Sequence, residues 1–503
     1  MPGVGRGPHG VRGGRDSAPP PAPAIFSRMP SPPPPPTHTP PRRPAGGASE
    51  GGVTGSRLVA AEVMGDLRRG ALLDVSFERR AAALDARDRR WTQELVWGTL
   101  RRRSWLDAVL AARVTGGLAR LDTDVVDLLR LGVQQLVAMD SVPAYAAINQ
   151  TVELVKRRHG VGASKLANAV LRRVERERHE GLEGLEALAP VLPADPVERL
   201  AMLHSHPTWI VGRWVERFGA DEAARLLAEN DLGAPVVARP YGVSAGALAE
   251  ELASAGVRAE AAPAGAVWPV DSLRLSGGVS LTELGAFRRG DFHVQDPAST
   301  LVTRYAAFPP GATVADLCAA PGGKGLELAR TAGVVLAGDR SPSRIRRVAE
   351  NVRRLGAANL HPFVGDATAP TLRTVDAVLV DAPCTGTGTF RRHPDARWRL
   401  KPSDLAVMPA LQRDILRAAA TVVRPGGLLV YATCSLEPEE NDAPVDDFLA
   451  AHADEWTLEP PPPGTVPDAV LDEGRLRVLP HRHSVPDAPV DGAFAARLRR
   501  RAA

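Results

Sequence analysis

Three cysteines punctuate this chain, and each stands just past a short apolar run. Cys318 follows TVADL, Cys384 follows VDAVLVDAP, and Cys434 closes GLLVYATC. Three thiols in 503 residues cannot build a disulfide framework and point to a reducing compartment. A single cysteine at a strand end is ordinarily a buried structural thiol. Two of them, Cys384 and Cys434, on strands expected to lie side by side, place paired thiols at one cleft. They are too few and too widely spaced to read as a zinc site. Carbon 5 of a pyrimidine is a poor nucleophile, and a thiolate adding to carbon 6 makes it enamine-like and able to take a methyl group from a sulfonium. A base then removes the carbon-5 proton and the thiolate leaves, which is nucleophilic catalysis in two easier steps. On this reading Cys434 is the nucleophile and Cys384 assists proton transfer or release. Asp381, three residues before Cys384, is placed to bond the N3/N4 edge of cytosine.

A methyl donor needs its own site, and DLCAAPGGKG at 316–325 supplies one. It is a glycine-rich turn between a strand and a helix. Glycines let the backbone approach a ligand, and the helix amino end favours an anionic group. The run Cys318, Ala319, Ala320, Pro321, Gly322, Gly323, Lys324 is the candidate cofactor loop. It is not a Walker A loop, because Cys318 and Gly325 stand where that motif needs Gly and Ser or Thr. Asp339, ending the next strand, is placed for ribose hydroxyls, and Asp366, in VGDA, for an adenine amino group. Three ligand-like positions on consecutive strand ends favour an adenosine-bearing cofactor. With no magnesium-ready hydroxyl after Lys324, S-adenosyl-L-methionine is preferred over ATP. No metal is expected.

The elements that position these residues are strands alternating with helices from about Phe308 onward. TVADLC, GVVLAGD, ANLHPFVGDA, TVDAVLVDAPC and GLLVYATC read as strands, with SPSRIRRVAENVRRLG and SDLAVMPALQRDILRAAATVV as helices between them. That pattern predicts an α/β doubly wound, mostly parallel sheet with its ligand beyond the carboxyl ends of the strands. Upstream, apolar spacing near 3.6 recurs from Ser56 to about Glu177 and predicts a compact all-α domain. Asp122 and Pro143 are read as start signals, and Gly160 as a stop. RRR at 101–103, KRR at 156–158 and LRRVERER put arginines on its polar faces, as solvated surface or as an RNA-binding patch. Residues 181–200 read as a Pro-containing link, followed by two helices and a strand–helix–strand–strand module. The expected organisation is a disordered Pro-rich tail over 1–54, a helical domain over 55–180, linker helices and a small α+β connector over 181–290, and a catalytic domain over 291–503. The formal net charge of +4 allows nucleic acid as a partner, and no apolar run is long enough to span a membrane.

At these residues the chain resembles the RsmB (Sun-type) family of ribosomal RNA cytosine-C5 methyltransferases. The resemblance rests on DLCAAPGGK, DR at 339–340, GDA at 365–367, DAPCTGTG, YATCSLEPEEN, VQDPAST at 294–300, NAVLRRV at 168–174 and SHPTWIVGRW at 205–214. It implies a class I S-adenosylmethionine-dependent methyltransferase domain behind a NusB-like RNA-binding domain. By that resemblance Cys434 is the nucleophile, Cys384 aids product release, and Cys318 to Lys324, Asp339, Asp366 and Asp381 line the cofactor site. The substrate it implies is a cytidine of small-subunit (16S) ribosomal RNA, handled in the cytoplasm by a monomer. The chain departs from the family at Gly325, where Thr or Ser is common, at ARPY (238–241) and at HRHSVPDAPVDGAF (481–494). His481 and His483 read as loop or RNA-facing residues rather than metal ligands. Two other readings are a non-catalytic antitermination protein, carried by the helical domain alone, and a methyltransferase acting on another RNA or on DNA; in the DNA reading TC at 433–434 would be idle.

Overall fold

The computed structural model describes residues 52–179, 188, 192–277 and 280–502. The tail expected over 1–54 lies, up to residue 51, outside the described residues, as does most of the link at 180–191. The amino-terminal part is helical: α1 (Gly55–Arg68), α2 (Leu73–Arg80), α3 (Ala86–Arg101), α4 (Arg103–Ala111), α5 (Thr123–Ala138) and α6 (Ala144–His179). Asp122 caps α5 as expected, its carboxylate accepting from the Asp124 N–H at 2.7 Å. Gly160 interrupts α6, with φ at +79°. Leu95, Trp105, Leu106, Leu129, Ile148 and Leu171 form the closed apolar centre.

The stretch read as a link contains a helix, α7 (Pro196–Leu203), which corrects the expectation. Asp195 caps it through the Glu198 N–H, and Pro196 opens its first turn. Both are helix-start signals that the surrounding prolines masked. Then come α8 (Thr208–Phe218), α9 (Ala220–Asp231), β1 (Val236–Pro240), α10 (Ala245–Ser254), β2 (Arg258–Ala261), β3 (Leu273–Ser276), α11 (Gly285–Arg289) and β4 (Phe292–Val294). The four strands make an antiparallel sheet in the order β2-β3-β1-β4, so the connector sheet draws its last strand from past residue 290.

The second sheet carries the chemistry. It is built from α12 (Pro297–Ala306), β5 (Thr313–Asp316), α13 (Gly323–Leu328), β6 (Val334–Asp339), α14 (Pro342–Leu355), β7 (Leu360–Val364), β8 (Val375–Asp381), α15 (Ala396–Arg399), α16 (Asp404–Thr421), β9 (Val423–Thr433), α17 (Asp442–Ala451), β10 (Trp456–Leu458), β11 (Leu471–Asp472), β12 (Arg475–Val478), α18 (Pro480–His483) and β13 (Ala493–Arg500). The strand order is β11-β12-β13-β9-β8-β5-β6-β7, with β10 on β13. The run from β9 to β7 is parallel, whereas β13 lies antiparallel to β9. Strands β8 and β9 are nearly continuous apolar runs because helices cover both faces. Strand order reverses at β5, the switch point beside which such sheets bind their ligands.

His481 and His483 lie on the short helix α18 rather than in a loop. The His481 side chain is fully buried, 3.4 Å from Glu222, and His483 Nδ1 accepts the Leu479 N–H at 2.8 Å. No group of three or more metal-ligating side chains occurs among the described residues, and no described helix is long and apolar enough to cross a membrane.

Candidate active site

Register brings the thiols together. Asp381 at the end of β8 pairs with Ala432 of β9, so the loops leaving both strands emerge at one edge. There Cys384 Sγ and Cys434 Sγ lie 3.2 Å apart as free thiols. Cys384 is buried and Cys434 half-exposed. The hydrogen bond to Cys434 and then burial push the Cys384 thiol well above its ordinary range, which disfavours a thiolate at Cys384. Lys324 Nζ donates to Asp381 Oδ2 at 2.7 Å. Burial works against the Lys324 charge, but Asp381, Cys434 and Asp316 together hold its pKa above the usual value. A fixed ammonium therefore faces the thiol expected to react.

Three sequence motifs build the floor under the thiols. The Gly388 N–H donates to the Cys434 carbonyl at 3.0 Å, and the Gly492 N–H to the Gly388 carbonyl at 2.8 Å. A Cβ at Gly388 would come within 2.7 Å of Gly492 Cα and 2.8 Å of the Cys434 carbonyl oxygen, so only glycine fits there. Arg392 then ties VQDPAST to the final strand: its guanidinium bonds Asp296 at 2.7 Å and Asp491 at 2.9 Å. Burial and the Asp491 charge push Asp296 up to about 6. This cluster gives VQDPAST and the aspartate of DGAF a structural task that spacing alone did not reveal.

The glycine-rich turn follows β5. Its backbone is pinned by Ala319 N–H to the Gly338 carbonyl at 2.8 Å and by Arg344 to the Ala320 carbonyl at 2.8 Å. The turn passes through Pro321 and Gly322 into α13. A Cβ on Gly323 would sit 3.2 Å from Gln295 Nε2, so the Gln295 side chain packs against the turn there. Cys318 is half-buried, and burial with the charges of Asp316, Asp381 and Asp339 pushes its thiol upward, which makes it a neutral lining residue. Asp339 ends β6, buried, with one oxygen accepting the Ser341 N–H at 2.9 Å. Asp366 lies after β7, where its carboxylate caps its own turn through Thr368.

Sequence reasoning passed over the residue that opens this motif. Asp316 is fully buried, and neither carboxylate oxygen has a hydrogen-bond partner. Burial and then the Asp381 charge push it up to about 7. A Cβ at Gly325 would lie 3.4 Å from Asp316 Oδ2, so the departure at Gly325 removes the hydroxyl position nearest this carboxyl. Taken together, a backbone cradle, an acidic residue on each of three neighbouring strands and an unpartnered buried carboxyl fit a cationic, adenosine-bearing cofactor. Glu440 and Gln412, which flank the thiol loops, were also passed over. The signal for Glu440 was its place inside YATCSLEPEEN. The departure at ARPY has a use as well: buried Arg239 bonds Glu327 of α13 at 3.0 Å, joining the connector sheet to the helix of the turn.

The helical domain is seated on the loop that follows the thiol motif. Trp398 Nε1 donates to the Leu100 carbonyl at 2.9 Å, and Arg101 to the Arg391 carbonyl at 3.0 Å. The Trp97 indole N–H reaches the Arg392 carbonyl at 3.3 Å, and Arg103 stacks over Trp398. Arg397, buried behind this contact, donates to carbonyls of Ser205, Asn230 and Phe390.

The comparisons with known proteins agree with this geometry. Residues 307–499 match the family described as 16S rRNA methyltransferase RsmB/F, and residues 55–176 match the NusB family. A probable ribosomal RNA small subunit methyltransferase B of Synechocystis is 33% identical over 88% of this chain and 99% of its own. A ribosomal RNA small subunit methyltransferase B of Pseudomonas putida is 34% identical over 78% of this chain and 88% of its own. Among solved structures, PH0851 superposes with a TM-score of 0.71 at 27% identity, covering 88% of this chain and 98% of its own. A methyltransferase homolog from Pyrococcus horikoshii does so at 0.51 and 28%, covering 61% and 99%.

Proposed function

The chain belongs to the RsmB/F family of ribosomal RNA methyltransferases, and from that premise we propose that it methylates carbon 5 of a cytidine in small-subunit ribosomal RNA through a covalent cysteine–cytosine adduct. The observation that carries the proposal is the pair of sulfurs 3.2 Å apart at the ends of adjacent parallel strands, beside the Lys324–Asp381 ion pair. S-adenosyl-L-methionine, held by the turn from Cys318 to Lys324 with Asp339 and Asp366, supplies an electrophilic methyl group when bound. Cys434 adds to carbon 6 of the base, and the electron pair moves to carbon 5. Asp381 holds the N3/N4 edge, and its ion pair with Lys324 fixes its orientation. Cys384 keeps its proton throughout: once carbon 5 carries the methyl group, a water molecule acting as base takes the carbon-5 proton, the C5–H electron pair reforms the C5–C6 double bond, and Cys434 leaves as thiolate with the Cys384 S–H donating to it. The exposed basic residues of the helical domain bind phosphates, which position an RNA without reading it.

Two experiments test this. Bisulfite sequencing of small-subunit ribosomal RNA from cells with and without the gene should show one protected cytidine that depends on it. Purified protein with cofactor and RNA should give a covalent complex in a denaturing gel that requires Cys434. An unchanged bisulfite pattern would sink the choice of base and position.

A further inference from the structure

Glu440 lies six residues after Cys434 in the same YATCSLEPEEN stretch, and the reaction above gives it no part. It is fully buried. Its carboxylate reaches across to the loop of the other thiol. One oxygen accepts the Thr385 N–H at 2.8 Å and Gln412 Nε2 at 3.1 Å, and the other accepts the Thr385 hydroxyl. Gln412, buried on α16, also donates to the Pro383 carbonyl at 2.9 Å. The residues on both sides of Cys384 are thus held from one carboxylate. Tyr431 of β9 fixes the Glu440 backbone by donating to its carbonyl at 2.6 Å. Every partner of the carboxylate is a donor, the arrangement an ionised acid requires, and these donors oppose the burial that pushes Glu440 above its ordinary value. A loop can be packed in place by apolar side chains more cheaply than by a buried charge, so the charge itself calls for a reason.

Building on the cysteine–cytosine reading, we infer that Glu440 is a positioning residue that fixes Cys384 against Cys434 and divides the roles of the two thiols. The division follows from charge. The groups facing Cys384 are Cys434 at the end of β9, Glu440 behind the loop, and Tyr431 within β9. Their side chains are neutral or negative and, with burial, disfavour a thiolate, outweighing the single backbone N–H of Cys434 that favours one. Lys324 on α13, paired with Asp381, faces Cys434 instead. A carboxylate behind one sulfur and an ammonium before the other keep the proton on Cys384 and leave Cys434 to attack.

Two substitutions separate charge from reach, both made in the full chain. Glu440→Gln keeps the shape and removes the charge, and Glu440→Asp keeps the charge and shortens the arm. The first measurement is the rate at which iodoacetamide alkylates Cys384 as a function of pH, followed by peptide mass spectrometry without RNA or cofactor. The second is turnover, with a denaturing gel for covalent RNA complexes. In Glu440→Gln, Cys384 should alkylate at lower pH than in the parent, turnover should fall about a hundredfold as expected for a misplaced reacting group, and covalent complex should accumulate. In Glu440→Asp the alkylation profile should stay that of the parent while turnover falls. Should either Glu440 variant fail to fold, Thr385→Val removes only the hydroxyl arm and should lower turnover in the same direction by less. A parental alkylation profile in Glu440→Gln, or parental turnover in Thr385→Val, would overturn the role given to Glu440. Turnover retained by Cys434→Ala would overturn the cysteine–cytosine reading instead, and the alkylation profile would still decide the part played by Glu440.

Discussion

The ends of β8 and β9 and the ends of β5 and β6 meet at one edge of one sheet, yet they are built on opposite terms. On the thiol side the polar groups that shape the loops are paired: Glu440 with Thr385 and Gln412, Arg392 with Asp296 and Asp491, and Gly388 with the Cys434 carbonyl. On the turn side the buried carboxyl of Asp316 makes no close hydrogen bond and is favoured as a carboxylate only by the Lys324 charge and the Cys318 N–H, while Cys318 and Asp339 share the lining with the backbone. The contrast teaches which half is pre-formed. The proposed covalent step would tolerate little play in its reacting atoms, which fits the concentration of internal hydrogen bonds there. On the proposed reading, the turn half is completed by its ligand, and a buried carboxyl can be left unpaired where a cationic group is to lie against it.

The largest effect should come from the thiol side. Cys434→Ala should lower turnover by about 10⁴-fold or more, the scale of losing a nucleophile, and should form no covalent RNA complex. Its affinity for S-adenosylmethionine, measured by calorimetry, should be unchanged, because the turn is built independently. A parallel loss of cofactor affinity would break the contrast between the two halves. Cys384→Ala should be milder and opposite in signature. The adduct through Cys434 still forms but resolves slowly, so a denaturation-resistant band accumulates while turnover falls about a hundredfold. A stable band in Cys434→Ala and none in Cys384→Ala would exchange the two roles.

The turn side answers to pH. Asp316 titrates near 7 in the folded chain against an ordinary value of 3.8. The folded state therefore binds the proton more tightly than the unfolded one, and the stability this contributes is present at low pH and lost as pH rises through about 7. Asp316→Asn carries no such term. Its melting temperature should match the parent near pH 4, exceed it increasingly up to about pH 7, and hold that gap above. A gap that does not change with pH would show that Asp316 finds a partner in solution.

Much of this was legible because strand ends are legible. Apolar runs bounded by turn residues placed Cys318, Cys384 and Cys434 at one edge, and the Asp122 cap was readable from its neighbours. Glu440 was not, because its role depends on Thr385 and Gln412, which fold back from 55 and 28 residues away. The same limit applies to the two arginine runs. RRR at 101–103 and KRR at 156–158 look alike as text. The first lies against the loop at 390–399, through Arg101 on the Arg391 carbonyl and Arg103 on Trp398. The second is exposed. A charge run does not say what stands opposite it.

That difference yields the smallest predicted effect. On the outer half of α6, Lys165, Arg172, Arg173 and Arg176 are all exposed, within one face of the helix. If they bind phosphates, changing each to Gln should weaken RNA association about threefold to tenfold at low salt and flatten the plot of log affinity against log salt by about 0.9 for each duplex phosphate no longer neutralised. The melting temperature should barely move, since exposed charges contribute little to stability. Trp398→Ala should do the reverse. It removes an indole held on the Leu100 carbonyl and so costs about 2 kcal/mol of stability, while leaving the salt slope unchanged. Deleting the whole helical domain would confound the two, because it strips α6 and uncovers the loop from Phe390 to Arg399 together. Equal salt slopes in the parent and in the fourfold Gln variant would remove α6 from the RNA-binding surface. A changed slope in Trp398→Ala would show that the docking loop, and not α6, holds the phosphates.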